Sequence, residues 1–195
     1  MDEGYTNVSL GFNFAYFAKI YADISISSNG YVCLGSVEAC NKLSRPSPYD
    51  TLVGLNYDLN PSRDDSGKIY YKSLSLYSDE FKFVNVHVNL LDPQYFSTNI
   101  FMITYDDVLT TDTSSLSIAS FQIFLTANSI KSYVLFKFKS CLTDLYLRTA
   151  SGLTHNNTGF LKEVRIPDGQ QCTSSNVGQT GVWVSEVTSS LSGIN

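Results

Sequence analysis

Charged residues are scarce in this sequence of 195 residues: Asp, Glu, Lys and Arg together make up 16%, and the formal net charge is −5. A net negative charge offers no attraction to phosphate backbones, so we do not expect a nucleic acid as partner. Long apolar runs are also missing, because none approaches the roughly 18–20 residues that span a bilayer. We therefore expect no transmembrane segment in this chain.

Histidine is limited to His87 and His155. The sequence also lacks a Gly-x-Ser-x-Gly elbow, a phosphate-binding glycine loop and a His-Glu-x-x-His helix, which are common signatures of enzymes. We therefore expect no catalytic activity, with His155 in an exposed loop and His87 in a partly buried structural position. A hydrolase stays open as an alternative, since paired carboxylates for glycoside hydrolysis leave no mark in a linear sequence.

Cysteine is limited to Cys33, Cys40, Cys141 and Cys172. Disulfides explain these residues better than zinc, because neither Cys-x-x-Cys pairs nor histidines at ligand spacing are present. Of the three connectivities that four cysteines allow, we favour Cys33–Cys40 and Cys141–Cys172, because each pair closes a loop within one neighbourhood of the chain. The alternative is four reduced, buried thiols in a cytosolic protein.

Two N-glycosylation sequons favour the same cellular compartment as disulfides. Asn7 begins Asn-Val-Ser and Asn156 begins Asn-Asn-Thr. No secretory signal is visible at the start of the sequence, so the prediction of export depends on the cysteines and the sequons. Together they predict a secreted or cell-surface glycoprotein with disulfide bonds.

Strand signals, by contrast, are abundant. Residues 19–26 alternate between apolar and polar, and Asn29-Gly30 separates them from a second apolar run, which is typical of a hairpin. These signals predict a mainly β, antiparallel, sandwich-like single domain over residues 1–187, with a linker or tail over 188–195. The other predicted strands lie within 51–57, 68–76, 100–105, 120–126, 134–139 and 180–184.

The segment 78–91 is compatible with two structures. Apolar residues at Phe81, Val84 and Val88 would line one face of a helix that is capped at Ser78 or Asp79. The same valines alternate with polar residues, which would suit a strand. The residues leave both structures open.

Four blocks of residues resemble the NIDO domain, the extracellular domain shared by nidogen (entactin), alpha-tectorin and mucin-4. Their order and spacing along the chain are similar to those of the family. The chain departs from that family at Tyr57 and Tyr105, where tryptophan is usual, and at Asn60, where a second aspartate is usual. The blocks are 12–14 (FNF) with 22–31 (ADISISSNGY), 52–60 (LVGLNYDLN) with 67–71 (GKIYY), 103–106 (ITYD) with 121–125 (FQIFL) and 132–136 (SYVLF), and 175–178 (SNVG) with 181–184 (GVWV).

The resemblance implies a non-catalytic binding or assembly module of a matrix or cell-adhesion protein, whose partners are extracellular matrix or cell-surface proteins. It also favours the helix within 78–91. The alternative is a secreted glycan-binding β-sandwich, which calcium could assist.

No motif requires a cofactor, and Ca²⁺ is the one ion for which the sequence offers candidate ligands. Oxygen-bearing side chains are dense in two segments that follow strand patterns, and Ca²⁺ prefers oxygen ligands. The alternative is a pair of solvated turns in which these side chains cap backbone amides. The candidate metal ligands are Asp58, Asn60, Asp64, Asp65, Asp106 and Asp107.

Tyrosines offer a candidate binding surface. The tyrosine side chain combines apolar area with a polar tip, which suits the recognition of proteins or glycans. The alternative is that these tyrosines simply cover sheet faces. The candidate binding residues are Tyr16, Tyr21, Tyr31, Tyr70 and Tyr71.

Overall fold

The computed structural model describes residues 4–35, 50–111, 118–140, 151–155 and 165–188. These ranges contain ten strands in two antiparallel sheets and a single α-helix. The predicted mainly β, sandwich-like fold is therefore confirmed. Within the same ranges, no helix has the length and apolar character needed to cross a membrane.

The first sheet has the strand order β1-β2-β3-β4-β9. The predicted hairpin at Asn29-Gly30 is present and joins β2 to β3 in antiparallel pairing. Gly30 adopts a φ of +81°, a conformation that glycine takes without steric cost. The strands of this sheet are β1 (Tyr5–Tyr16), β2 (Lys19–Ser27), β3 (Tyr31–Leu34), β4 (Thr51–Val53) and β9 (Gly152–Thr154).

The second sheet has the strand order β10-β8-β7-β6-β5, so β5 and β10 are its edges. The predicted hairpin between β7 and β8 is confirmed, with Phe121 opposite Phe138 and Ile123 opposite Phe136. The strands of this sheet are β5 (Lys68–Ser73), β6 (Asn99–Leu109), β7 (Ile118–Ala127), β8 (Ser132–Ser140) and β10 (Val182–Glu186).

The largest hydrophobic cluster contains buried side chains from both sheets. Tyr105 is fully buried in it, and its ring stacks on Phe121 with the centroids 4.4 Å apart. Its hydroxyl donates to the Ser27 carbonyl of the first sheet at 2.6 Å, which satisfies the polar tip. A tyrosine therefore serves as a core aromatic where the NIDO resemblance would place a tryptophan.

The single helix, α1 (Asp79–Asn89), packs on the second sheet and confirms the helical alternative for this segment. The Ser78 hydroxyl caps it by accepting a hydrogen bond from the Phe81 amide at 3.1 Å. Phe81, Val84 and Val88 are buried, whereas Val86 is 59% exposed. Burial therefore follows the helical period and not the alternation of the valines.

Three features differ from the sequence predictions. Strands β1 and β9 were not predicted from the sequence. Strand β4 ends at Val53, although the apolar pattern predicts a strand to residue 57. The prediction of an exposed loop at His155 is wrong, because β9 leads directly into it and its side chain is only 14% exposed. Apart from Thr188, the predicted tail 188–195 lies outside the described residues, so its boundary stays a prediction.

His87 is buried, which agrees with its predicted structural role. Its Nδ1 atom lies 2.7 Å from the Phe83 carbonyl and its Nε2 atom lies 2.5 Å from the Gln179 side-chain oxygen. The imidazole thus connects α1 to the segment that precedes β10.

Candidate functional site

The two segments that carry the predicted calcium ligands lie against each other. The Gly67 amide donates to the Asp107 carbonyl at 3.0 Å. A Cβ atom at Gly67 would lie 1.7 Å from the Asp106 carbonyl oxygen, so only glycine fits this approach. The tertiary structure therefore joins the turn at 58–67 to the bulge at 106–107.

Proximity does not make these side chains into a coordination shell. Across the described part of the chain, no group of three or more His, Cys, Asp or Glu side chains could hold a metal ion. Calcium binding at these turns stays a prediction, and the contact of Asn60 with a backbone amide suits the capped-turn alternative. Asp58 accepts from the Thr111 hydroxyl at 2.8 Å, Asn60 accepts from the Ser62 amide at 3.0 Å, Asp65 accepts from Arg63 at 2.8 and 2.9 Å, Asp106 and Asp107 lie 3.4 and 3.7 Å from the Lys139 ammonium, and Asp64 is exposed.

The five candidate tyrosines do not form one exposed face. Tyr16 is fully buried and Tyr31 is 5% exposed. Tyr16 donates to the Thr154 carbonyl at 2.7 Å, and the Tyr31 hydroxyl lies 2.9 Å from that of Tyr5. The binding prediction is therefore wrong for Tyr16 and Tyr31, because neither side chain is exposed enough to contact a partner.

Tyr70 and Tyr71 are both exposed, at 57% and 47%, on the edge strand β5. Consecutive strand residues point to opposite faces, so these two rings do not share a surface. Tyr71 faces the space between the sheets and its ring stacks on Phe101 with the centroids 6.0 Å apart. A binding role for either ring stays a prediction.

Burial makes tyrosine ionisation a probe of this fold. Burial, and secondarily Asp50, raises the pKa of Tyr16, and burial, with a smaller effect of Tyr31, raises the pKa of Tyr105 above the ordinary value near 10. Unfolded tyrosines lose protons above pH 10 while these folded ones keep them, so stability that is complete below pH 10 should fall at higher pH. We expect a loss of about 3 kcal/mol at pH 11 from the two groups.

The measurement is urea unfolding between pH 8 and pH 11. The variant Tyr105→Phe should lose stability less steeply with pH than the wild type, because one buried ionisable group has been removed. Parallel curves for wild type and Tyr105→Phe would contradict this account.

A cleft of about 320 Å³ opens between β1, β2 and β5. Two tyrosines line it from different sheets: Tyr5 from β1 and Tyr71 from β5. Lys68 is the one charged residue among the lining residues. The full lining is Gly4, Tyr5, Thr6, Ile26, Ser28, Pro61, Lys68, Ile69 and Tyr71.

A second cluster of polar groups is buried at the other end of the first sheet. The Asp50 carboxylate is 2% exposed and accepts hydrogen bonds from the Tyr21 hydroxyl at 2.5 Å and from His155 Nδ1 at 2.9 Å. The Lys19 ammonium lies 3.2 Å from the same carboxylate. Burial and the hydrogen bond to Asp50 raise the pKa of Tyr21.

The aromatic rings beside this cluster are Tyr16, the last residue of β1, and Phe17, in the turn between β1 and β2. Phe17 lies 5.0 Å from the His155 ring, and both Phe17 and Ala18 have positive φ angles, 43° and 66°. A positive φ is unfavourable for a phenylalanine, so tertiary contacts must hold it there. One such contact is the hydrogen bond from the Phe17 amide to the Val187 carbonyl at 2.6 Å.

Sequence reasoning did not identify Asp50, Lys19 or Phe17 as members of a cluster. Asp50 and His155 are 105 residues apart, and no local pattern connects them. One local signal was present: the turn between β1 and β2 consists of Phe17 and Ala18, which are not the residues that turns usually contain.

The cysteine and sequon predictions are partly covered by the described residues. Cys33 and Cys172 are disulfide-bonded, and neither is a free thiol. No disulfide joins two described residues, so these two are not bonded to each other. Cys40 and Cys141 lie outside the described ranges, and the pairing Cys33–Cys40 and Cys141–Cys172 stays a prediction.

Of the two sequons, Asn7 is within the described chain and Asn156 is outside it. Asn7 is exposed on β1, where a glycan would meet no steric barrier from burial. Its side-chain oxygen accepts a hydrogen bond from the Ser25 hydroxyl at 2.6 Å. Glycosylation at both positions stays a prediction.

Part of the chain is similar to a known protein family. Residues 1–74 match a family model described as NIDO related. The match covers β1 to β5, including the Asn-Gly hairpin and the Gly-Lys-Ile-Tyr-Tyr block. No curated protein and no solved structure gave a match. The similarity of residues 1–74 to the NIDO-related family, together with the two-sheet fold, supports a NIDO-type domain in this chain and suggests an extracellular type of protein.

Proposed function

We propose that this chain is a non-catalytic binding or assembly module of an extracellular matrix or cell-surface protein, and that it acts through protein–protein contact. The observation that carries the proposal is the match of residues 1–74 to the NIDO-related family. Secretion, with disulfides and glycans, belongs to the same proposal. Adhesion is the biological role that fits such a module.

Exposed aromatic and aliphatic side chains support a role in contact with other proteins. Tyr77 is 86% exposed and Phe96 is 62% exposed, and they flank the helix α1 in sequence. Val86 and Leu90 of the same region are each 59% exposed. Aromatic side chains on a surface are enriched at protein interfaces, where their area is buried against a partner.

The proposal can be tested with the purified, secreted chain on decellularised extracellular matrix. We expect saturable binding that is lost when the matrix is treated with protease and kept when its glycans are removed enzymatically. The control is the same chain after reduction and heat unfolding, which should not bind. Addition of a chelator should leave the binding unchanged.

Three results would contradict the proposal. If the folded chain binds the matrix no better than the unfolded control, the chain has no assembly role in that matrix. Binding that is lost with glycan removal, and also with chelator, would favour the calcium-assisted glycan-binding alternative. Turnover of a matrix component by the chain would favour a hydrolase.

A further inference from the structure

One basic side chain stands apart from the others in its contacts. Among the described lysines and arginines, Lys68 is the one whose charged group touches neither a carboxylate nor an aromatic ring. Its ammonium donates to the neutral Pro61 carbonyl at 2.9 Å. The others pair as Lys19–Asp50, Arg63–Asp65, Lys72–Glu80, Lys82–Asp79, Lys131–Asp92, Lys139–Asp106 and Arg165–Asp168, and Lys137 lies over the Phe83 ring.

This unpaired cation lies at the cleft between β1, β2 and β5. The lining is otherwise uncharged, and it includes the apolar side chains of Ile26 and Ile69. Tyr71 is held in place by the ring of Phe101, whereas the Tyr5 ring packs with Tyr31 on the other face of the first sheet. The cleft is therefore complementary to a ligand with an apolar body and a negative charge.

The strand that carries Lys68 is also an unpaired edge. Strand β5 pairs with β6 on one side, and no other described strand pairs with it. An edge strand of this kind can accept a further strand through its backbone hydrogen-bonding groups. Ile69 and Tyr71 point to the cleft side, so alternate side chains of an added strand would point there as well.

We propose that this cleft binds an extended acidic segment of a partner protein, which adds as a strand to the free edge of β5. An apolar side chain of the segment lies in the cleft against Ile26, Ile69 and Tyr71. The next residue of the segment is Asp or Glu. It points to the opposite face of the added strand, where its carboxylate pairs with Lys68. A peptide fits better than a saccharide, because the free strand edge provides backbone hydrogen bonds and a neutral sugar would leave the cation unpaired. This inference rests on the proposed protein-binding function and names the site and the class of partner.

The experiment uses a phage-displayed library of random peptides panned on the purified chain. We expect the enriched peptides to place Asp or Glu close to an aliphatic or aromatic residue. Synthetic, fluorescein-labelled versions are then titrated by fluorescence polarisation. The variant Lys68→Glu should weaken their binding by about tenfold, since attraction is replaced by repulsion. Replacing the acidic residue of the peptide by lysine should recover binding to Lys68→Glu.

The matched control is Lys82→Glu, which makes the same change in net charge at an exposed position of α1. It should leave peptide binding unchanged. Peptides that are N-methylated at alternate amides test the strand geometry, because methylation on the side facing β5 should abolish binding and methylation on the other side should not. Lys68→Glu should stay folded, since Lys68 is exposed, with a small drop in the unfolding midpoint because Asp106 lies opposite on β6.

Equal binding to the wild type and to Lys68→Glu would overturn the proposal. Enrichment of basic or uniformly apolar peptides would overturn it as well. So would competition in which saccharides displace the bound peptides and unlabelled acidic peptides do not. Matrix binding that survives in Lys68→Glu would leave the proposed function intact and would overturn only this site. Loss of matrix binding in Lys68→Glu, with binding kept in Lys82→Glu, would support both.

Discussion

Replacing Gly30 by alanine is expected to destabilise the fold by about 3–5 kcal/mol, as the sum of backbone strain and a steric clash. Gly30 has a φ of +81°, and a Cβ atom at this position would lie 2.0 Å from the Leu55 carbonyl oxygen. The two segments cannot easily separate, because the Gly30 carbonyl accepts hydrogen bonds from the Gly54 and Leu55 amides at 3.1 and 3.0 Å. The residue therefore connects the β2–β3 hairpin to the end of β4.

The matched control is Gly178→Ala. Gly178 has nearly the same φ, +77°, but a Cβ atom there would have no neighbour within 4 Å. This variant should lose only the conformational term, about 1–2 kcal/mol. Urea unfolding of the two variants measures the difference in stability. Equal losses would show that the clash with the Leu55 carbonyl oxygen does not contribute to the cost of a side chain at position 30.

Replacing Asp50 by alanine is expected to destabilise the fold by about 3 kcal/mol, because a buried acceptor with several donors is removed. Tyr21 and His155 both lose this acceptor, and His155 is itself only 14% exposed. Lys19 is half exposed, so its share of the loss should be small. Asp50→Asn retains an oxygen acceptor and should cost less, about 1–2 kcal/mol.

The control for Asp50 is Asp168→Ala. Asp168 also pairs with a basic side chain, Arg165, but both groups are 45% exposed. Exposed pairs contribute little, so this variant should change stability by less than about 0.5 kcal/mol. Urea unfolding at neutral pH compares the three variants. A loss for Asp50→Ala as small as that for Asp168→Ala would mean that the cluster does not stabilise the sheet.

The local pattern was sufficient for strands whose burial alternates regularly. The β7–β8 hairpin is an example, because long apolar and polar alternation on both arms coincides with one buried face. Strand β1 escaped prediction because its pairing with β2 shifts between Ser9 and Phe14, and the alternation changes phase there. Strand β9 has only three residues, Gly152–Thr154, which is too short for any period.

The helix illustrates a competition between two local signals. Alternating valines favour a strand, whereas the cap at Ser78 and the spacing of Phe81, Val84 and Val88 favour a helix. Packing on the second sheet buried the helical set and left Val86 exposed. Tertiary packing thus selected one of two structures that the residues themselves allowed.

The β class, the hairpin turns and the order of the NIDO-like blocks could be read from the amino-acid sequence, because each depends on residues that are close along the chain. The candidate sites could not be assembled in the same way. Tyr16 is covered by Thr154, 138 residues away, and the Asp50 cluster spans the chain from Lys19 to His155. The unpaired state of Lys68 becomes visible only when the partners of the other basic groups have been located in space. Burial and ion pairing are properties of neighbours in three dimensions, so composition and periodicity carry little information about them.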